Sequence, residues 1–210
     1  MKKLLAIFAL SLFIALPSYQ ESLFREEPLK NSIHYTVSIG YQKGVDVDRA
    51  EKIIQRSFDV IREQLNIHLT VVHTFEVDLT GSERPGVGLI WGPLSCRAQS
   101  GNNLTPKQYV DFTICLVDFT IGGMAAGVAL PPIATVESNI HDGSRIGDHF
   151  LATNTLTHEI GHLLGASHSR TGVMFYATRI TDYYQLHKFS NFSIREIKEH
   201  LLGQESAGND

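Results

Sequence analysis

Cysteine is scarce in this chain, at two residues in 210, and its basic residues are neither numerous nor clustered. Eighteen Lys and Arg stand against 22 Asp and Glu, a formal charge of −4. There is no basic stripe to follow a nucleic-acid backbone and no Lys/Arg cluster to recruit anionic lipid. No internal repeat or heptad run occurs, which excludes a solenoid or a coiled coil. Beyond residue 18 no stretch is long and apolar enough for a membrane helix, which needs about 20 apolar residues. The rest is ordinary globular composition, 43% apolar and 19% charged, enough for one domain with a real core.

The N-terminus reads as an address. Lys2 and Lys3 precede an apolar run over residues 4–16, and Pro17 and Ser18 break it. A basic start followed by an apolar run too short to span a bilayer is the pattern of a secretory signal peptide, here residues 1–18. Its loss would remove Lys2 and Lys3 and leave 16 basic residues against 22 acidic, a net of −6. Export to an oxidising compartment favours pairing of Cys96 with Cys115, and the alternative is two independent buried thiols. Asn103 and Asn191 each open an Asn-x-Ser/Thr acceptor triplet.

Residues 19–32 form a short polar leader. Residues 33–41 (IHYTVSIGY) are β-branched and aromatic, hence a strand. Asp46 and Asp48 offer N-cap chemistry for a helix running to Leu65, with Ile53, Ile54, Phe58, Ile61 and Leu65 on one face. Residues 67–79 read as a second strand and 86–91 as a third, and residues 92–107 read as loop. Residues 110–119, 123–130 and 133–137 are further extended stretches. Residues 149–164 are helical in period, a last helix spans about 193–202, and 203–210 is a polar, mobile tail. Interleaved strands and helices followed by a closing helix give an α/β (α+β) layout with a mixed sheet.

Residues 157–169 read THEIGHLLGASHS. His158 and His162 are four apart, so on a helix both imidazoles project from one face. Gly165 can adopt φ > 0 and end the helix, turning the chain so that His168 becomes a third ligand. Three neutral imidazoles and one open position make a catalytic zinc site. Glu159, beside the first ligand, is placed to take a proton from water as general base and deliver it to the leaving amine. His141 and His149, with Asp142 and Asp148 beside them, read as surface loop residues.

On this pattern the sequence resembles the metzincin clan of zinc peptidases, whose extended motif is HExxHxxGxxH with a methionine turn downstream. The likeness covers nearly all of the chain in element order and is sharp over residues 152–174. It implies a zincin catalytic domain over 31–202, with a twisted mixed five-stranded sheet, a backing helix and an active-site helix in an upper part (31–164). A small lower part (165–202) would hold the Met-turn and the final helix. Met174 would then be a hydrophobic floor beneath the histidines. Residues 189–197 and the strand over 123–129, against which substrate would lie antiparallel, are most similar to the reprolysin (adamalysin-like) group. Ser169 after the third histidine is instead matrixin-like. Tyr176 matches the spacing of the metal-binding tyrosine in astacin- and serralysin-like members, which would make it a fifth ligand or an oxyanion donor. Residues 177–184, with Arg179, Tyr183 and Tyr184, would wall the specificity pocket.

These readings imply a secreted, monomeric zinc endopeptidase with one zinc per chain and a peptide or protein substrate. It would have no nucleic-acid partner and no stable membrane association once the signal is removed. No sequence feature assigns a calcium ion. No cysteine lies ahead of the first strand to cap the metal, so a leader carboxylate, Glu26 or Glu27, is a candidate for the fourth position. An exopeptidase would need a charged anchor for a chain terminus, and none stands out. The rival from another class is a secreted toxin or interaction module with structural zinc, which intact Glu159 and a three-ligand set argue against.

Overall fold

The computed structural model describes residues 26–79, 88–103, 110–119, 121, 126–138, 150–175 and 188–207. Its frame is a five-stranded sheet in the order β2-β1-β3-β5-β4. The strands are β1 (Ile33–Gln42), β2 (Ile67–Val77), β3 (Phe112–Val117), β4 (Gly127–Leu130) and β5 (Ile133–Glu137). β1, β2, β3 and β5 run parallel, and β4 pairs antiparallel to β5 at one edge. β3, at the centre, is buried on both faces throughout (FTICLV), as an inner parallel strand must be. The mixed α/β fold expected from the element order is the one observed.

Four helices occur among the described residues: α1 (Val47–Leu65), α2 (Gly88–Asn103), α3 (Phe150–Leu163) and α4 (Asn191–Ala207). Asp46 caps α1 by accepting from Arg49 N–H at 3.1 Å, and Asn66 closes it in the left-handed region at φ 58°. The Ile53, Ile54, Phe58, Ile61 and Leu65 stripe is buried as the period predicts. α1 and α3 pack side by side on one face of the sheet. The same core takes in Val173, Met174, Phe189, Ile194, Ile197 and Leu201 from the C-terminal segment. No described helix is long and apolar enough to cross a membrane.

One element departs from the sequence reading. Residues 88–103, expected to be a strand and then a loop, form α2 despite Pro93 within it. Its sequence, GLIWGPLSCRAQSGNN, has weak helix propensity and no clear apolar stripe, so tertiary contacts decide. α2 lies over the opposite face of the sheet, where Cys96 packs with Phe75, Val77, Val117 and Ile133. Cys96 is disulfide-bonded to Cys115 of β3 across a sequence separation of 19. A loop of that length contributes about 3 kcal/mol in the chain-entropy account of cross-links. The bridge therefore anchors a helix that its own sequence supports poorly.

Two smaller differences concern the ends of the chain. The last helix starts at Asn191 and continues to Ala207, so most of the expected tail is helical. The leader from Glu26 onward is tied down: Leu29 N–H donates to Leu65 O, and Asn66 Nδ2 donates to Leu29 O. Residues 1–18, read from the sequence as a signal peptide, lie outside the described part.

Candidate metal centre

α3 carries two of the three histidines, and its faces explain their placement. Ala152, Leu156 and Ile160 point into the core and are fully buried. His158 and His162 lie on the next stripe round, facing the C-terminal segment. Gly165 then ends the helix at φ +95°, with a side of its backbone so close to the His200 ring that any Cβ would collide with it. Ala166 N–H bonds back to Gly161 O at 2.9 Å, and the chain turns to present His168. The glycine turn expected from the sequence is present.

The three imidazoles converge on one point. His162 Nε2 lies 3.1 Å from His158 Nε2 and 3.2 Å from His168 Nε2. His158 Nδ1 donates to Val173 O at 2.7 Å, and His162 Nδ1 donates to Ala166 O at 2.8 Å. A carbonyl can only accept, so each of these rings keeps its proton on Nδ1 and turns a bare Nε2 lone pair inward. Two such lone pairs at 3.1 Å repel unless a cation lies between them. Nitrogens bound tetrahedrally to zinc at 2.0–2.1 Å stand about 3.3 Å apart, so the spacing and the neutral nitrogen donors both fit that ion. Among the described residues no further Cys, His, Asp or Glu joins the group.

The turn around Met174 supports this geometry from below. Val173 N–H donates to Lys188 O, Ser169 N–H donates to Met174 O, and Phe175 N–H donates to Gly172 O. The Val173 carbonyl is thereby fixed where His158 needs it. Met174 is fully buried, and its sulfur lies so near Gly161 that a Cβ there would overlap it. Gly161 is thus the residue that lets the methionine approach the helix between the two histidines. The sequence offered that glycine inside the motif without indicating what it faced.

Glu159 lies on another side of α3, against the edge strand. A methyl group on Gly127 of β4 would sit 2.6 Å from Glu159 Oε1, so the carboxyl is packed between α3 and β4. Burial pushes it up to about 8. His158 is held down to about 4, by burial first and then by the two neighbouring imidazoles, against the pull of its bond to Val173 O. Burial likewise lowers His162, with His168 adding to the effect.

These shifts predict a pH signature for the metal-free protein. Glu159, raised from 4.5 to about 8, contributes stability that is complete below pH 4.5 and lost as pH rises to 8. His158, lowered from 6.5 to about 4, contributes stability that is complete above pH 6.5 and lost as pH falls to 4. The two slopes oppose one another between 4.5 and 6.5, and only that of Glu159 remains above 6.5. Chelated protein should therefore lose stability from pH 6.5 to 8, at up to about 1.4 kcal/mol per pH unit and flattening as pH nears 8. Thermal unfolding with chelator should show the decline in the parent and not in Glu159→Gln; parallel declines would contradict it.

With this geometry in hand, the molecule can be set beside solved structures. The fold is archaemetzincin-like. The archaemetzincin of Methanopyrus kandleri superposes with a TM-score of 0.55 at 16% identity, over 83% of this chain and 98% of that one. A zinc-dependent peptidase from Methanocorpusculum labreanum gives 0.54 at 13% identity, over 77% of this chain and 99% of that one. No protein-family model matches the sequence, and no curated protein does.

Other residues singled out in the sequence fall elsewhere. The Glu26 carboxylate pairs with Lys198 at 3.4 Å and Arg195 at 3.8 Å on α4. Glu27 borders a groove lined by Leu29, Ile33, Lys198 and Leu201. Neither leader carboxylate belongs to the histidine group: Glu26 is paired with Lys198 and Arg195 on α4, and Glu27 borders the groove beside them. Tyr176, Arg179, Tyr183, Tyr184, His141, Asp142, Asp148 and His149 lie outside the described residues.

Proposed function

We propose that this chain is a secreted zinc endopeptidase in which His158, His162 and His168 hold one zinc ion and Glu159 is the general base. The observation that carries the reading is the convergence of three Nε2 atoms, two of them with their tautomer fixed from behind. Bound there, zinc would act as a Lewis acid toward a peptide carbonyl and lower the pKa of water at the open position. Glu159 would supply the proton traffic, its carboxylate taking a proton from the attacking water and returning it to the departing amine nitrogen. A nearby cation favours the charged carboxylate, countering the burial that keeps it protonated otherwise.

β4 supplies the substrate platform. Among the described residues it ends the sheet with no strand on its outer side, which suits an extended peptide, and Gly127 on it lies against Glu159. An added strand would be held by main-chain bonds, which suits hydrolysis within a chain rather than at its terminus. Met174 forms the floor between the histidines. Secretion rests on Lys2, Lys3 and the apolar run over 4–16, and action as a monomer belongs to the same reading.

The test uses the full purified chain. Metal analysis should find about one zinc per chain, and the protein should cleave a denatured protein substrate at internal bonds. A chelator should stop cleavage and added zinc restore it. Cleavage that survives complete removal of metal would refute the reading, and a zinc-loaded chain that cleaves nothing would favour the toxin or interaction module.

A further inference from the structure

His168 is the least supported of the three histidines. It is exposed, and among the described residues only its Nε2 has a hydrogen-bonding neighbour. His158 and His162 each have a carbonyl behind Nδ1. With no bond behind its ring among the described residues, His168 is oriented there through its backbone. On one side that support is plain: Ser169 is buried, its N–H donates to Met174 O at 2.9 Å, and its Oγ donates to Thr171 O at 2.5 Å.

On the other side stands Glu196 of α4, 29 residues beyond Ser167 in sequence. Its Oε2 accepts from Ser167 N–H at 3.0 Å and its Oε1 accepts from Ser167 Oγ–H at 2.6 Å. One carboxylate thus takes both donors of the residue immediately before His168. Charge-assisted bonds of this kind are about twice as strong as neutral ones, and two to one residue fix its orientation as well as its position. α4 is itself anchored: Ile194, Ile197 and Leu201 are buried in the main core.

From this geometry we infer that Glu196 is a positioning residue for the third metal ligand, holding His168 in place through Ser167. The inference rests on the zinc reading above and adds a residue that touches neither metal nor substrate. Outer partners of metal ligands are typically worth 10–100-fold in affinity.

Zinc affinity of the full chain, measured at pH 7.5 by competition with a chromophoric chelator, tests it. Glu196→Ala should weaken binding about 10-fold, towards the lower end of that range because the bonds are exposed. Glu196→Gln, which keeps one acceptor oxygen, should recover part of the loss. In a His168→Ala background the Glu196→Ala change should add nothing, since its route to the metal is gone. Lys198→Ala removes a neighbouring charge on the same helix without touching Ser167 and should leave affinity unchanged. Cobalt-substituted protein gives a second readout, a changed visible spectrum in Glu196→Ala. Parent-like affinity in Glu196→Ala would overturn the inference while leaving the zinc reading intact. An equal loss in Lys198→Ala would overturn it too, by tracing the effect to helix docking. A parent chain that binds no zinc would instead remove the reading beneath it.

Discussion

Exchanging Glu159 for glutamine is expected to lower kcat for peptide hydrolysis by 10²–10⁴, the range a positioned general base contributes, with zinc content unchanged. The substitution is nearly isosteric, which matters because the carboxyl is only 5% exposed and wedged between α3 and Gly127. A smaller residue would leave a gap under the edge strand and confuse loss of chemistry with loss of packing. Glutamine fills the space but cannot accept and return a proton. Its effect should therefore fall on kcat, with KM close to the parent value, because β4 and the three histidines are untouched. Metal content, KM and kcat measured on one preparation separate these possibilities. A kcat within tenfold of the parent would place the base elsewhere.

The same variant bears on stability in the opposite direction. A buried carboxyl costs free energy whenever it must ionise, and Glu159 retains that cost in the absence of metal. A residue that is a liability for the metal-free fold and an asset once a cation is bound has the profile of a functional group rather than a packing one.

Much of this was legible in the sequence because periodicity reports burial directly. α1 was readable from Ile53, Ile54, Phe58, Ile61 and Leu65, and β5 as the extended stretch over 133–137. The histidine group was readable because a four-residue spacing on a helix is a statement about one face, and Gly165 about the turn after it. α2 was not readable: Gly88, Gly92, Pro93 and Gly101 argue against a helix locally, and the disulfide to β3 with burial on the sheet outweighs them. Nor could the sequence reveal that Glu26 turns to α4, or that Glu196 grips Ser167, since each depends on long-range packing. Local pattern found the three histidines, and only tertiary structure shows what holds them together.

That difference in support leads to a ranking of the three histidines. His162→Ala is expected to abolish stoichiometric zinc binding, and His168→Ala to weaken binding while leaving it measurable. His162 is the hub, with its Nε2 at 3.1 and 3.2 Å from the other two Nε2 atoms and its Nδ1 tied to Ala166 O. Without it the remaining pair joins a helical residue to a loop residue, with rings 5.2 Å apart and only one tautomer fixed by a described carbonyl. Without His168, by contrast, two imidazoles remain one turn apart on a rigid helix, both oriented by carbonyls. The loss in His162→Ala should exceed the 10–100-fold that an outer partner accounts for. Chelator competition on the two variants at the same pH gives the order directly. Equal losses, or tighter binding by His162→Ala than by His168→Ala, would mean that the rigid helical pair is not what organises the site.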